Sequence, residues 1–431
     1  MRKANTVAWA LGLTLAAVTQ PAWTQQNPSS RSNPAVQVSC DLACNWLLDG
    51  QAMGSLGAGE SRTAPAAAGQ HWLAAVTTDG LDKVEKALMI KAAGQVTVAF
   101  KLLPVRNARY EAARMDLRKP TTNPRIVVRI AVPANAAASL VVNPRRNKIY
   151  VSGGASDGQQ VVEIDGTMFA LTVLGAGSGA SVDTATNHVW AAGVYGGTAL
   201  VYDGSTRKLI HTVRLGACPV GTAYDPVNKR AWVGAQCSGG NDPTWAVNGG
   251  TYEVEAGPFG SGGVYWGNPI VNPLTGRAYF GATNNGPPAS LCIDPAYNFK
   301  QTTKPFGNVG AVDTVNRLLF AVPAQNATEL QILGGGPGPE AIVRTVSLPF
   351  SASAGGLDVD PAAGRLYASN AAGNSIEVLN EATGASLATI ALGAGNSAQR
   401  LAADPTRHLL YALVQTANGA QLFVIQEGSA K

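Results

Sequence analysis

Asn143-Pro-Arg-Arg-Asn-Lys-Ile-Tyr150-Val-Ser152 spells out a short β-hairpin. An amide followed by proline opens a tight turn, because Pro fixes φ and an Asn side chain can accept backbone N–H groups there. Seven residues after Asn143, an aromatic closes a short apolar run. The same spacing recurs at Asp183/Trp190, Asp225/Trp232, Asn272/Tyr279, Asp313/Phe320, Asp360/Tyr367 and Asp404/Tyr411, with anchors 40, 42, 47, 41, 47 and 44 residues apart.

A period in the forties, repeated seven times, predicts an all-β fold, a seven-bladed β-propeller. Each repeat has four strands. In the sixth, GLDVDPAAGRLYASN holds the first two, SIEVLN the third and SLATIAL the fourth. The last repeat stops after its third strand, AQLFVIQ. RIVVRIAV, at residues 125–132, aligns with the fourth strands and is expected to close the ring beside it. Such closure leaves only short outer edges. In the third repeat TWAVN reads as the third strand and TYEVEA as the fourth. Residues 257–268 are then a long, Gly-rich loop before the fourth blade.

The rest of the 431 residues divides by composition. Hydrophobic residues make up 46% and charged residues 14%, which is core-forming material without the charge excess of a disordered chain. A basic head, MRK, precedes an apolar run at residues 8–18. This predicts a secretory signal peptide over residues 1–25, the run being shorter than the ~20 residues that span a bilayer. The alternative is a membrane anchor. Residues 26–34 read as a flexible spacer. Residues 35–102, with VQVSC, CNWLLDG, GQHWLAAVTTDG and GQVTVAFKL as four strands, predict a small β-sandwich domain. Net charge is +5. Lys101, Arg106, Arg109, Arg114, Arg118, Lys119 and Arg125 crowd the next segment against Glu111 and Asp116. Residues 103–124 therefore read as a basic linker and solvated tether, contact with phospholipid or nucleic acid being the alternative.

Two resemblances follow from these motifs. N-W-L-L-D-G at 45–50, G-S-L-G at 54–57 and A-G-Q-H-W-L-A-A-V-T-T-D-G at 68–80 are similar to PEGA-type surface domains. The namesake P-E-G-A turn is absent, and Asp41-Leu42-Ala43 stands in its place. The hairpin at 143–152, followed by V-V-E-I-D-G, resembles the YVTN-type seven-bladed propellers of bacterial surface and periplasmic proteins. That resemblance covers residues 125–426. Together they imply a bacterial protein that is secreted, periplasmic or associated with the cell envelope, and that binds rather than catalyses.

Residues four before each anchor are expected to ring the mouth of the propeller: Ser139, Gly179, Gly221, Asn268, Val309, Gly356 and Arg400. This ring lacks carboxylates and histidines, whereas hydrolytic and metal sites need converging acids, bases or ligands. His71, His188, His211 and His408 fall in different places, His188 and His408 in hairpins on the far face. Asp165, Asp203 and Asp294 read as turn residues rather than calcium ligands. No catalytic residue, metal or cofactor is expected, and no nucleic-acid partner. A lactonase- or lyase-like enzyme is the alternative function. The candidate ligand-binding residues are Phe259, Tyr265, Trp266, Asn268, Gln399 and Arg400, since aromatics and Arg are enriched at binding hot spots and loops carry function. The competing reading makes Tyr265 and Trp266 a channel plug or packing between blades.

Five cysteines leave at least one unpaired within the chain. Pairing of Tyr224 with Ala231 predicts that Cys218 faces Cys237 across the same hairpin, a candidate disulfide. Cys40 and Cys44 flank a three-residue turn and form a second candidate. Cys292, between Leu291 and Ile293, reads as a buried free thiol.

Overall fold

The computed structural model describes residues 34–133, 137–154, 158–193, 196–216, 218–236, 243–259, 269–281, 290–370 and 372–428. The expected signal peptide and nearly all of the spacer lie outside these.

Residues 35–100 form two sheets around one core. Ala35–Cys40 pairs antiparallel with Ser61–Pro65 and parallel with Gln95–Phe100. The second sheet has the order Gln51–Leu56, Cys44–Leu48, Gly69–Thr77, Lys83–Ile90. Val36, Val38, Trp46, Leu73 and Phe100 fill the space between them. A Cys40–Cys44 disulfide ties a strand of one sheet to a strand of the other. Three of the seven strands, Gln51–Leu56, Ser61–Pro65 and Lys83–Ile90, escape the sequence reading because most of their side chains are exposed and carry no strong apolar alternation.

The basic segment is not a solvated tether. Leu103–Leu117 is an α-helix, started by a proline in its first turn where no N–H is needed. Buried Ala113, with Tyr110 and Leu117, packs on Ile130, Val132 and Phe169. The charges meet internal acceptors. Arg106 and Arg109 converge on Asp82, which is 1% exposed, at 2.8 and 2.9 Å. Arg109 also donates to the Arg129 carbonyl at 2.6 Å, and Arg125 to Gln426 Oε1. The helix thus joins the N-terminal sheets to the strand that follows it. It is not long and apolar enough to cross a membrane.

From residue 125 onward the described residues form four-stranded antiparallel sheets. Their first strands are Ser139–Asn143, Ser178–Asp183, Pro219–Asp225, Ile270–Asn272, Asn308–Asp313, Leu357–Asp360 and Ser397–Asp404. Each first strand packs against the next, and Ser397–Asp404 packs against Ser139–Asn143. In the last sheet the fourth strand is Arg125–Ala131, paired antiparallel with Gly419–Gln426.

The repeating pair does two jobs. Anchor carboxylates cap their hairpins: Asp225 Oδ1 accepts from the Val227 and Asn228 N–H groups at 3.0 and 3.1 Å, and Asp313 Oδ1 from Val315 and Asn316 at 2.7 and 3.0 Å. Four residues after each anchor the backbone is left-handed, at Asn147, Asn187, Lys229, Gly276, Arg317, Gly364 and His408. This is a turn followed by one αL residue. The seven aromatics are at most 2% exposed. Each packs against the following sheet, as Tyr150 does with Val182 and Val189, and Tyr411 with Ile149 and Val151.

The third sheet departs from expectation. Asn248 caps Gly250 and Thr251, and Tyr252 is left-handed, so a longer turn delays the fourth strand to Val254–Phe259.

Candidate functional site

Where the first strands converge, a cavity of about 540 Å3 opens, with Leu140, Ile270, Val309, Leu401, Asp358 and Arg400 in its wall. The strands do not run regularly into it. Their pairing slips by one residue between Ser178 and Ser181, Pro219 and Gly221, Val309 and Ala311, and Ala398 and Arg400. Bulges of this kind re-aim side chains and bend the strand. In the last sheet the slip turns Arg400 into the cavity.

Arg400 is half-buried and lies across the turn Ala354–Gly356. A Cβ on Gly355 would come within 2.3 Å of its Nη1. Nη1 donates to the Gln399 carbonyl at 2.9 Å, and among the described residues the guanidinium has no carboxylate partner. Burial holds its pKa below the usual arginine value, the sign of a cation desolvated without compensation.

Asp358 supplies the opposite charge. Its Oδ2 accepts from the Ala403 N–H at 2.6 Å and Oδ1 from Val359 at 2.9 Å, so it also stitches the sixth sheet to the seventh. Burial pushes its carboxyl up to about 6. The expected mouth ring missed it because Asp358 stands two residues before its anchor, not four. The signal was present: that column reads Val141, Ser181, Ala223, Ile270, Ala311, Asp358 and Ala402, with one acid among small and apolar residues.

Of the six candidate ligand residues the structure brings Arg400 to the cavity. Gln399 is exposed and donates to Ser397 Oγ at 3.1 Å. Phe259 sits on the outer strand of the third sheet, stacked on Phe299 with centroids 5.8 Å apart. It packs in the cluster around Trp232 rather than at the mouth. Tyr265, Trp266 and Asn268 lie outside the described residues. Of the other ring positions, Val309 lines the cavity and Ser139 and Gly179 serve the framework. Ser139 Oγ and Ser152 Oγ bond each other and receive Ala180 N–H, and the Gly179 carbonyl accepts from Thr222 at 2.9 Å.

Cys218 is disulfide-bonded; its expected partner Cys237 lies outside the described residues. The slip after Pro219 sets Pro219 against Ala235, so the simple register argument for the pair is displaced by one residue. Cys292 is a free thiol, 1% exposed.

No protein-family model matches the chain, and no curated protein does. Solved structures do. The mitotic checkpoint complex contains a chain that matches at 14% identity and TM-score 0.57, covering 72% of this chain and 94% of that one. The Cps50 (Swd1) β-propeller domain of Myceliophteria thermophila matches at 12% identity and TM-score 0.54, covering 70% and 99%. The WD40 repeats of RRP9 match at 9% identity and TM-score 0.53, covering 71% and 98%. At these identities the likeness concerns the fold, which is that of a β-propeller.

Proposed function

We propose that this chain is an exported, non-catalytic binding protein that offers the mouth of its propeller to a protein or small-molecule ligand bearing an anionic group. The observation that carries this reading is the Arg400 guanidinium, half-buried in the cavity wall and without a carboxylate partner among the described residues. An unpaired desolvated cation is costly alone and is repaid when an anion enters. Apolar walls at Leu140, Val309 and Leu401 and the carboxyl of Asp358 supply shape and a second polar contact.

The finer architecture belongs to the same proposal. The first strands packing in sequence, with the seventh against the first, support a closed ring of seven blades, and the hairpin motif at 143–152 supports the YVTN type. The two sheets over residues 35–100 support a PEGA-like module. The Cys40–Cys44 bond and the bonded Cys218, for which Cys237 is the proposed partner, support an oxidising compartment such as the periplasm or the cell exterior. A lactonase- or lyase-like reaction needs a second acid, base or nucleophile beside Asp358. Asp358 and Arg400 are the titratable groups in the described wall.

A thermal-shift screen of small carboxylates, phosphate esters and short peptides tests the reading. A ligand held at ~100 times its Kd stabilises by about 2.7 kcal/mol. The expected result is a class of anions that raises the midpoint of the wild type and not of Arg400→Met. Equal shifts in both proteins would overturn the assignment of Arg400.

A further inference from the structure

The far ends of the sheets hold a second cluster. Directly after the third strand, five repeats carry a small residue or proline: Gly166, Gly204, Gly249, Pro295 and Gly335. The slot is tight. A Cβ at Gly204 would fall 2.5 Å from both Asn187 and the Tyr150 hydroxyl. The sixth and seventh repeats nevertheless place Glu381 and Glu427 there.

Glu427 is 4% exposed; neither carboxylate oxygen is within a well-formed hydrogen bond, and the Tyr367 hydroxyl, itself without one, stands beside it. It faces Asp360, the anchor of the preceding repeat, which is 0% exposed. Asp360 Oδ1 accepts from the Ala362 and Ala363 N–H groups, and Oδ2 is left without a partner. The nearby arginines are committed elsewhere. Arg365 donates to the Gly428 carbonyl at 2.8 Å, and Arg407 to Asp404 and the Pro144 carbonyl. The imidazole of His408 comes from the hairpin of the seventh repeat. Its ligand nitrogen and the carboxylate oxygens of Asp360 and Glu427 all lie within 4.8 Å of one another. His408 and Glu427 stand in the wall of a cavity of about 530 Å3 that Lys119 and Thr121 help to line.

We propose that Asp360, Glu427 and His408 bind one divalent transition-metal cation of the zinc type, with the cavity as its route of entry. Asp360 has one open oxygen and Glu427 two, all facing one point, and a dication placed there neutralises both carboxylates. The imidazole distinguishes the set from the all-oxygen sites preferred by calcium and magnesium. The molecule carries its own control. Asp313 and Glu381 repeat the carboxyl pair one blade earlier, but Gly364 stands where the seventh repeat has His408. Asn316 Nδ2 donates to Glu381 there.

The test is calorimetric titration of Zn2+ into the tag-free, chelator-stripped full chain, with unfolding midpoints measured alongside. His408→Asn is the informative variant, because Asn tolerates the left-handed backbone that His408 adopts at φ 54°. One zinc per chain is expected in the wild type and in Glu381→Gln. His408→Asn and Glu427→Gln are expected to weaken it by at least ~10-fold, in line with the loss of a ligand or its support. The zinc-free midpoint of His408→Asn should stay at the wild-type value. Failure of the wild type to take up one equivalent, or uptake undiminished in both variants, overturns the proposal. Neither result bears on Arg400, which lies at the opposite end of the first strands.

Discussion

Replacing Glu381 with Gln should make stability less dependent on pH, and the structure gives both sign and size. Glu381 is 6% exposed, accepts from Asn316 at one oxygen, and leaves the other without a partner opposite Asp313 Oδ2, which also has none. Burial, and then the Asp313 charge, push its carboxyl from 4.5 up to about 7. The folded protein therefore holds this proton more tightly than the unfolded chain. The stabilisation is fully present below the unfolded value and is lost as pH rises through the folded one. A gap of about 2.5 units at ~1.36 kcal/mol each sets a ceiling of about 3.4 kcal/mol. Discounting for solvent near the hairpin end leaves about 1–2 kcal/mol. Gln keeps an acceptor for Asn316 and offers Asp313 Oδ2 a permanent N–H. Relative to wild type, Glu381→Gln should be near neutral at about pH 4.5 and more stable by about 1–2 kcal/mol at about pH 8.5. Denaturant unfolding followed by tryptophan fluorescence at both pH values measures the difference, and Glu427, present in both proteins, cancels. A wild-type-to-variant difference that is the same at both ends would falsify the shared-proton account.

Two more consequences are open to direct measurement. Asp82→Ala removes the buried acceptor that Arg106 and Arg109 share; Arg106 keeps Asp79 and Arg109 the Arg129 carbonyl, so the cost should fall at or below the lower end of the ~3–5 kcal/mol typical of broken buried ion pairs. Because Arg109 also holds the Arg129 carbonyl, amide exchange in Leu103–Leu117 should accelerate; unchanged exchange would mean that the helix docks through Tyr110 and Leu117 alone. Thiol titration of the unreduced protein should find none in the native state and one in denaturant. Cys292 is buried, its thiol pushed up to about 12 by that burial, while Cys40, Cys44 and Cys218 are bonded. Five thiols in denaturant would remove both bridges.

What could be read from the chain follows from how local its physics is. An Asp caps N–H groups two and three residues away, so the hairpins and the strand register are written in consecutive residues, and the seven pairs suffice to locate them. The closing strand was legible for a related reason, since Arg125–Ala131 must resemble the fourth strands whose place it takes. The helix was not, because a run of arginines looks solvated until Asp79 and Asp82, more than twenty residues earlier, are known to face it. The sites were hidden more deeply. Asp358 meets the cavity only through the packing of the sixth sheet on the seventh, and Glu427 meets Asp360 only across the same boundary. Reading along the chain cannot reveal such encounters, but reading down the columns of a repeat can. An Arg in a column of otherwise uncharged residues, an Asp in a column of small and apolar residues, and two Glu in a column otherwise of Gly and Pro each break the pattern that the fold prefers. A residue that the framework does not require, and that burial penalises, needs some other reason to be there. At Arg400 the proposed ligand supplies that reason and at Glu427 the proposed cation, while Asp358 already has part of its own in the bonds to Ala403 and Val359 that join the two sheets.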